Sequence, residues 1–355
     1  MKRVLISAGA ALVLLALVGA SLYIYPVEVY LFRRMADRAV AKPAPVLATK
    51  NQLSVLLCGT GSPLPDKTRG GPCALIAVGD RYYLVDAGID AARNLRLWHI
   101  PFEKIEGVFL THFHSDHIAE LGELRLQSWV SGRRKPFVIY GPPGVERVVA
   151  GFNEAYALDS SYRTAHHGAA LLPPDAAVMV AKTLPVPKTT EVVLEDHGLK
   201  VTAIRVHHDP ATPAFGYRFD FGGHSIVISG DTAPDGNLAR AAKGADVLVH
   251  EALSPQMVRD LGAALSAGGQ WRSAKIMADI PTYHTSPVDA ARIANEAGVG
   301  LLIYSHLIPA PPNALAERLF LHGVNDVRSS GVRIGEDGLV IRLTKGVAEM
   351  DITHF

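Results

Sequence analysis

Thr111-His-Phe-His-Ser-Asp-His117 decides how this chain is read. It sets His112, His114, Asp116 and His117, all metal-ligating types, in one short stretch. The apolar run Gly107–Leu110 before it reads as a strand. A strand end or tight loop turns His112 and His114 to one side and Asp116 and His117 to the other, and two neighbouring ions need that division. Imidazole and carboxylate suit zinc, or iron or manganese, better than calcium. A chance histidine cluster on a solvated loop would have no partners downstream. Here single ligand types recur after apolar runs: His207 and His208 after VTAIRV, Asp231 after HSIVISG, His306 after VGLLIYS. A ligand on a strand end is held by a rigid element. Each is ordinary alone; together they form a set.

Outward from that stretch, strands and helices alternate. LSVLLCG, CALIAVG and YYLVDAG, then IEGVFLTH, read as short strands. Residues 144–158 have helical spacing. LKVTAIRV, AFGYRFDF, HSIVISGD and Ala245–His250 are strands again, and Pro287–Ala297 is a helix before the strand Val299–Ser305. Gly331–Ile334 and Leu339–Leu343 close the pattern. Strand runs followed by helices, twice over, predict a layered α/β sandwich. Residues 159–198, with LLPPDA and LPVPK, read as a long loop or insertion.

The 355 residues fit one large or two small domains, and a hydrophobic fraction of 48% is enough for a sizeable core. A net charge of +1 provides no global field for nucleic acid. Cys58 and Cys73 form no CxxC pair, so no thiolate zinc site is expected. Both read as buried free thiols, with a Cys58–Cys73 disulfide open if the domain is exported. LCGTGSP lacks the Lys-Ser/Thr of a phosphate loop, so its glycines are expected to shape the floor of the site.

At the N-terminus Lys2 and Arg3 precede an uncharged run, Val4 to Tyr25. That is close to the ~20 residues of a membrane-spanning helix and long for a signal-peptide core. Residues 1–26 are therefore read as a transmembrane anchor, or a signal cleaved after the weak Val18-Gly19-Ala20 site, and residues 27–52 as a stalk. Lys2 and Arg3 favour an extracytoplasmic, periplasmic domain; Arg33 and Arg34 oppose that orientation. Secretion after cleavage is the alternative. Residues 53–355 form the catalytic domain.

THFHSDH, the distal HHDPATPAFGYRF, the SGDT of Ser229–Thr232 and the strand-end His306 resemble the ordered motifs of the metallo-β-lactamase superfamily. LCGTGSPLP, ADVLVHE and His284-Thr285 followed by SPVDAARIANEAG resemble its ribonuclease Z and zinc-dependent arylsulfatase branch. The resemblance covers roughly residues 53–343 and implies an αβ/βα four-layer sandwich, here preceded by an N-terminal membrane helix. It implies two zinc ions, one on His112, His114 and His208, the other on Asp116, His117 and His306, with Asp231 bridging. The family pattern favours His208 over His207.

A binuclear hydrolase is then expected, in which a metal-bridging hydroxide, oriented by Asp116, attacks a phosphate or sulfate ester. The same resemblance makes His284 the proton donor to the leaving group, and Glu251, next to His250, is expected to orient it. Tyr162, Arg163 and His167, ahead of His208, are expected substrate contacts, since Arg suits phosphate or sulfate. The alternatives are a ribonuclease Z-like RNA endonuclease, a lactam or lactone hydrolase, and a non-catalytic binding module. The full ligand set argues against the last. Between His208 and Asp231 there is room for one hairpin and not for a tRNA-gripping arm. With the expected anchor, this favours a small-molecule or exported ester over nucleic acid as the partner. A homodimer is compatible with the sequence.

Overall fold

The computed structural model describes residues 13, 15–16, 19–20, 24–41 and 44–355. The chain divides into two compact units, Met1–Pro45 and Val46–Phe355. In the first, Tyr25–Val40 is a helix with no buried residue. Pro26 sits in its first turn, where the missing N–H costs nothing. Among the described residues no helix is long and apolar enough to cross a membrane. Most of Val4–Tyr25 lies outside the described residues. The expected membrane helix is therefore not supported. The signal reading, the membrane partner and the extracytoplasmic placement rested on the same run and are withdrawn with it.

The second unit holds two sheets. The first contains β1 (Gln52–Gly59), β2 (Cys73–Val78), β3 (Arg81–Val85), β4 (Ile105–Phe109), β5 (Phe137–Gly141), β6 (Met179–Thr183), β14 (Leu339–Thr344) and β15 (Asp351–His354), in the order β15-β14-β1-β2-β3-β4-β5-β6. The second contains β7 (Thr190–Asp196), β8 (Leu199–Val206), β9 (Ala214–Phe221), β10 (His224–Ile228), β11 (Val247–Leu253), β12 (Leu301–Ile308) and β13 (Val332–Ile334), in the order β13-β12-β11-β10-β9-β8-β7. Each sheet changes from antiparallel to parallel pairing partway across, at β3–β4 and at β10–β11.

Side-chain alternation explains the layers. On β1, Leu53, Val55 and Leu57 join the core between the sheets, with Phe109, Phe215 and Ile303. Leu56 and Cys58 face the other way, into a core shared with the helices Ala91–Leu97, Leu121–Val130 and Val145–Ala155. On the far side, Val227, Leu248 and Leu302 pack with Ala290 and Ala294 of the helix Pro287–Glu296. The result is the expected αβ/βα four-layer sandwich, without the membrane helix.

The strands anticipated as β1 to β4 and as β8 to β14 form with shifted ends, and β5 is a strand that the sequence reading did not single out. The segment 159–198 is no long loop: it holds the rest of the helix Ala157–His167, then β6 and β7. Its surface-facing residues obscured that in sequence; β7 is mostly exposed and the helix has no buried residue. The thiols are not free either. Cys58 and Cys73 form a disulfide with Cα atoms 4.9 Å apart, across the bulged end of the β1–β2 pair. The segment it spans, Gly59–Pro72, is tied down from a distance by Asp337, which accepts hydrogen bonds from the Thr60 and Gly70 amides.

Candidate metal centre

The parallel strands deliver the site. In open α/β sheets, ligands collect beyond the carboxyl ends of the strands. β4 runs into Thr111–His117, β10 into Asp231, β11 into Glu251, and β12 carries His306. His306 occupies a register shift between β11 and β12, with φ at +45°. A bulge re-aims a side chain in this way, and the left-handed backbone indicates strain tolerated for position. Gly88 is required by packing. A Cβ there would lie 2.7 Å from the Asp116 carbonyl oxygen, so only glycine lets this turn approach the ligand loop.

Ligand-type atoms of His112, His114, His208 and Asp231 lie within 4.8 Å of one another, as do those of Asp116, His117 and His306. A single oxygen, Oδ2 of Asp231, stands between the groups. It is 3.2 Å from His306 Nε2, 3.3 Å from His117 Nε2, and 3.9 Å from both His112 Nε2 and His208 Nε2. Two donors bound tetrahedrally to one zinc at about 2.0–2.1 Å sit roughly 3.4 Å apart, so these spacings suit shared ions. His117 Nε2 is buried with no hydrogen-bond partner, as a lone pair reserved for a cation is. These clusters fit a binuclear metal site. His207 points away, exposed and paired with Asp209.

The surroundings fix the ligands. Asp86, at the end of β3, accepts from the Thr111 amide and hydroxyl and stands 2.8 Å from His117 Nδ1. That contact settles the imidazole's orientation and leaves Nε2 facing inward. Asp86 was not recognised in the sequence; the signal was an Asp between the strand YYLV and a glycine turn. The Tyr283 carbonyl lies 3.0 Å from His208 Nδ1 and serves it in the same way.

Electrostatics favour positive charge here. Burial pushes the Asp231 carboxyl up, but His306 and His117 outweigh it and hold it well below the usual range. For Asp116 burial again raises, and the His306 hydrogen bond brings the balance down. Burial pushes His117 down, yet Asp231 and Asp86 hold it well above its ordinary value.

His284 lies beside this cluster, with a ring nitrogen within 4.8 Å of Asp231 and His306 ligand atoms. Its Nδ1 is 3.0 Å from Glu251 Oε1. That oxygen also accepts the Thr232 and Thr285 amides. Burial lowers the His284 pKa, but Glu251 more than offsets it, and the net direction is up. Tyr162, Arg163 and His167 lie on the helix Ala157–His167, where Tyr162 is exposed and Arg163 pairs with Asp159. None of these three lines the two clefts that adjoin His114.

Residues 81–307 match the family described as the beta-lactamase superfamily domain. The ribonuclease Z of Mycobacterium bovis (strain BCG / Pasteur 1173P2) is 36% identical over 261 residues, covering 73% of this chain and 87% of that protein. The ribonuclease Z of Mycolicibacterium gilvum is 37% identical over 260 residues, covering 72% and 85%. Among solved structures, the metallo-beta-lactamase fold protein YhfI from Bacillus subtilis superposes with a TM-score of 0.60 at 21% identity, over 82% of this chain and all (100%) of that one. The short form of human tRNase Z gives 0.58 at 20% identity, over 83% and 100%. The two structures share the fold. These ribonuclease Z relatives contradict the expectation that a nucleic-acid partner is unlikely. A net charge averaged over the whole chain carries no information about one local cleft.

Proposed function

The chain belongs to the metallo-β-lactamase superfamily, as a relative of the ribonuclease Z family, and from that premise we propose that it hydrolyses RNA phosphodiester bonds with two zinc ions. That it is a metallohydrolase acting on ester bonds follows from the family and the paired ligand clusters. The observation that carries the RNA reading is the likeness to ribonuclease Z over 87% of that protein's length. On this reading His112, His114 and His208 hold one ion, Asp116, His117 and His306 the other, and Asp231 both. Bound there, such ions lower the pKa of water and clamp the ester's oxygens.

The protein's own groups do the rest. Asp116 accepts a hydrogen bond from the attacking water and orients it. His284, held by Glu251 through Nδ1, offers its other nitrogen to the leaving oxygen. Glu251 shifts the pKa of that imidazole upward and so favours its protonated form. Two clefts flank His114: one of about 350 Å³ lined by Phe113, Pro143 and Pro210–Pro213, and one of about 250 Å³ lined by His284 and Tyr283. A diester carries two substituents and can use both; a monoester needs one. The β9–β10 hairpin, turning at Gly222–Gly223, occupies most of the stretch between His208 and Asp231, so RNA is gripped without an arm there.

The test is a hydrolysis panel on zinc-loaded full-length protein: a structured RNA with a single-stranded 3′ extension, bis(p-nitrophenyl) phosphate, p-nitrophenyl sulfate and nitrocefin. Cleavage of the RNA and the diester, lost in Asp231→Ala, is expected. Turnover of the sulfate or nitrocefin with the RNA left intact would overturn the reading.

A further inference from the structure

The cleft on the His284 side has a mixed lining. Asp116, Asp231, His284 and His306 belong to it. It also has an apolar wall: Leu64 from the Gly59–Pro72 segment, Ile276 and Met277 from the helix Trp271–Asp279, then Ile280, and Ile308 from β12. No Lys or Arg lines it. The wall has a sequence origin that the strand pattern did not reveal. A helical hairpin, Pro255–Ala267 and Trp271–Asp279, sits between Glu251 and His284. It packs on Leu253 and Ile308 through Val258 and Met277.

Packing accounts for Met277 and Ile280, 6% and 8% exposed, but not for Ile276, which is 54% exposed while lining the cleft. An apolar side chain left open beside a set of metal ligands has a substrate group as its natural cover. Pro63 and the aromatic Tyr283 line the same space, and an aromatic lining residue suits an occupant with a ring that can stack on it. Because His284 lines this cleft and not the one beside Phe113, the occupant is on the leaving-group side.

We propose that this cleft is a specificity subsite for a planar, largely apolar ring carried on the leaving-group side of the scissile ester. Resting on the RNA reading above, the ring is a nucleobase; on a small ester it is an aryl group. The chemistry is shared: a ring with a π-face and no charge, covered by Ile276 and Leu64 and stacked against Tyr283. Stacking of this kind is tolerant of base identity, so the subsite selects for a ring and not for a sequence.

Calorimetry on the zinc-loaded full chain tests this without turnover. Phenylphosphonate and methylphosphonate present the same anion and differ by the ring. The phenyl compound is expected to bind about tenfold tighter, roughly 1.4 kcal/mol. Ile276→Ser and Leu64→Ser should each shrink that ratio at least threefold and change methylphosphonate affinity less than twofold; Ile276→Leu should keep the ratio. A second pair, uridine 3′-monophosphate against the matching abasic sugar phosphate, distinguishes the source. Discrimination in both pairs identifies a nucleobase, and in the phosphonates alone a small aryl ester. Equal affinity within both pairs, or a ratio untouched by Ile276→Ser and Leu64→Ser, overturns the subsite. A protein that prefers rings but cleaves no RNA loses the RNA reading and keeps the subsite.

Discussion

Asp86 and His117 are locked together at the heart of the molecule: the Asp86 carboxylate stands 2.8 Å from His117 Nδ1, both residues buried, and the opposite ring nitrogen faces Asp116 and Asp231. A histidine ligand depends on what its second nitrogen does, because that contact sets both tautomer and direction. Asp86 holds a left-handed backbone, φ +62°, at the end of β3, and so reaches Thr111 and His117 together.

Asp86→Asn is accordingly expected to weaken metal binding about 10–100-fold while keeping the fold. Asparagine tolerates the left-handed backbone and still accepts from the Thr111 amide, but has no charge to set against His117. Competitive titration against a chelating dye measures the change. Unchanged affinity would make Asp86 a purely structural residue.

Asp231→Ala should disturb both metal positions together, since its Oδ2 lies within 3.9 Å of Nε2 of His112, His117, His208 and His306. His306→Ala should mainly empty the position it shares with Asp116 and His117. Elemental analysis gives the count: near zero equivalents for the first variant and about one for the second, against about two for the wild type. Equal losses in the two variants would remove the special place assigned to Asp231.

His284→Ala should lower turnover by about 10²–10⁴-fold with metal content retained, the range for loss of a general acid. The loss should be small for a nitrophenolate leaving group, which departs without a proton. Glu251→Gln should reproduce part of the effect, because His284 then loses the carboxylate that raises its pKa. A uniform loss across good and poor leaving groups would assign His284 to binding instead.

His250, fully buried beside Glu251, gives a pH signature of stability. Burial pushes its pKa down, only partly countered by Glu251, so the fold favours its neutral form. The unfolded chain then binds more protons below the ordinary pKa of about 6.5. Its contribution is intact above that pH and lost as pH falls through and below it. The Tm of the metal-free protein should fall between pH 7 and pH 5, more steeply than in His250→Gln. Parallel slopes for the two proteins would mean that His250 does not contribute.

Much of the local order was legible from neighbours in the chain: most of the strand runs, and which ligand types follow them. His112, His114, Asp116 and His117 could be read because one loop carries them, and His208, Asp231 and His306 because each follows an apolar run. Period-two burial and the His-rich loop are short-range patterns, legible from neighbours in the chain. Only tertiary structure could decide what depends on distant pairs. Asp86 meets His117 because β3 and β4 are parallel neighbours. Glu251 reaches His284 because β11 ends beside the turn that precedes Pro287. Cys58 and Cys73 join because β1 and β2 are antiparallel. The apolar cleft was hidden for the same reason: Leu64, Ile276 and Ile308 lie far apart in the chain and share one wall only when the hairpin folds over the ligand loop. The N-terminal run shows the limit of composition. Its hydropathy and length resembled a membrane span, yet among the described residues no helix of that kind forms. Net charge has a similar limit, because a sum over the whole chain does not describe the field in one cleft.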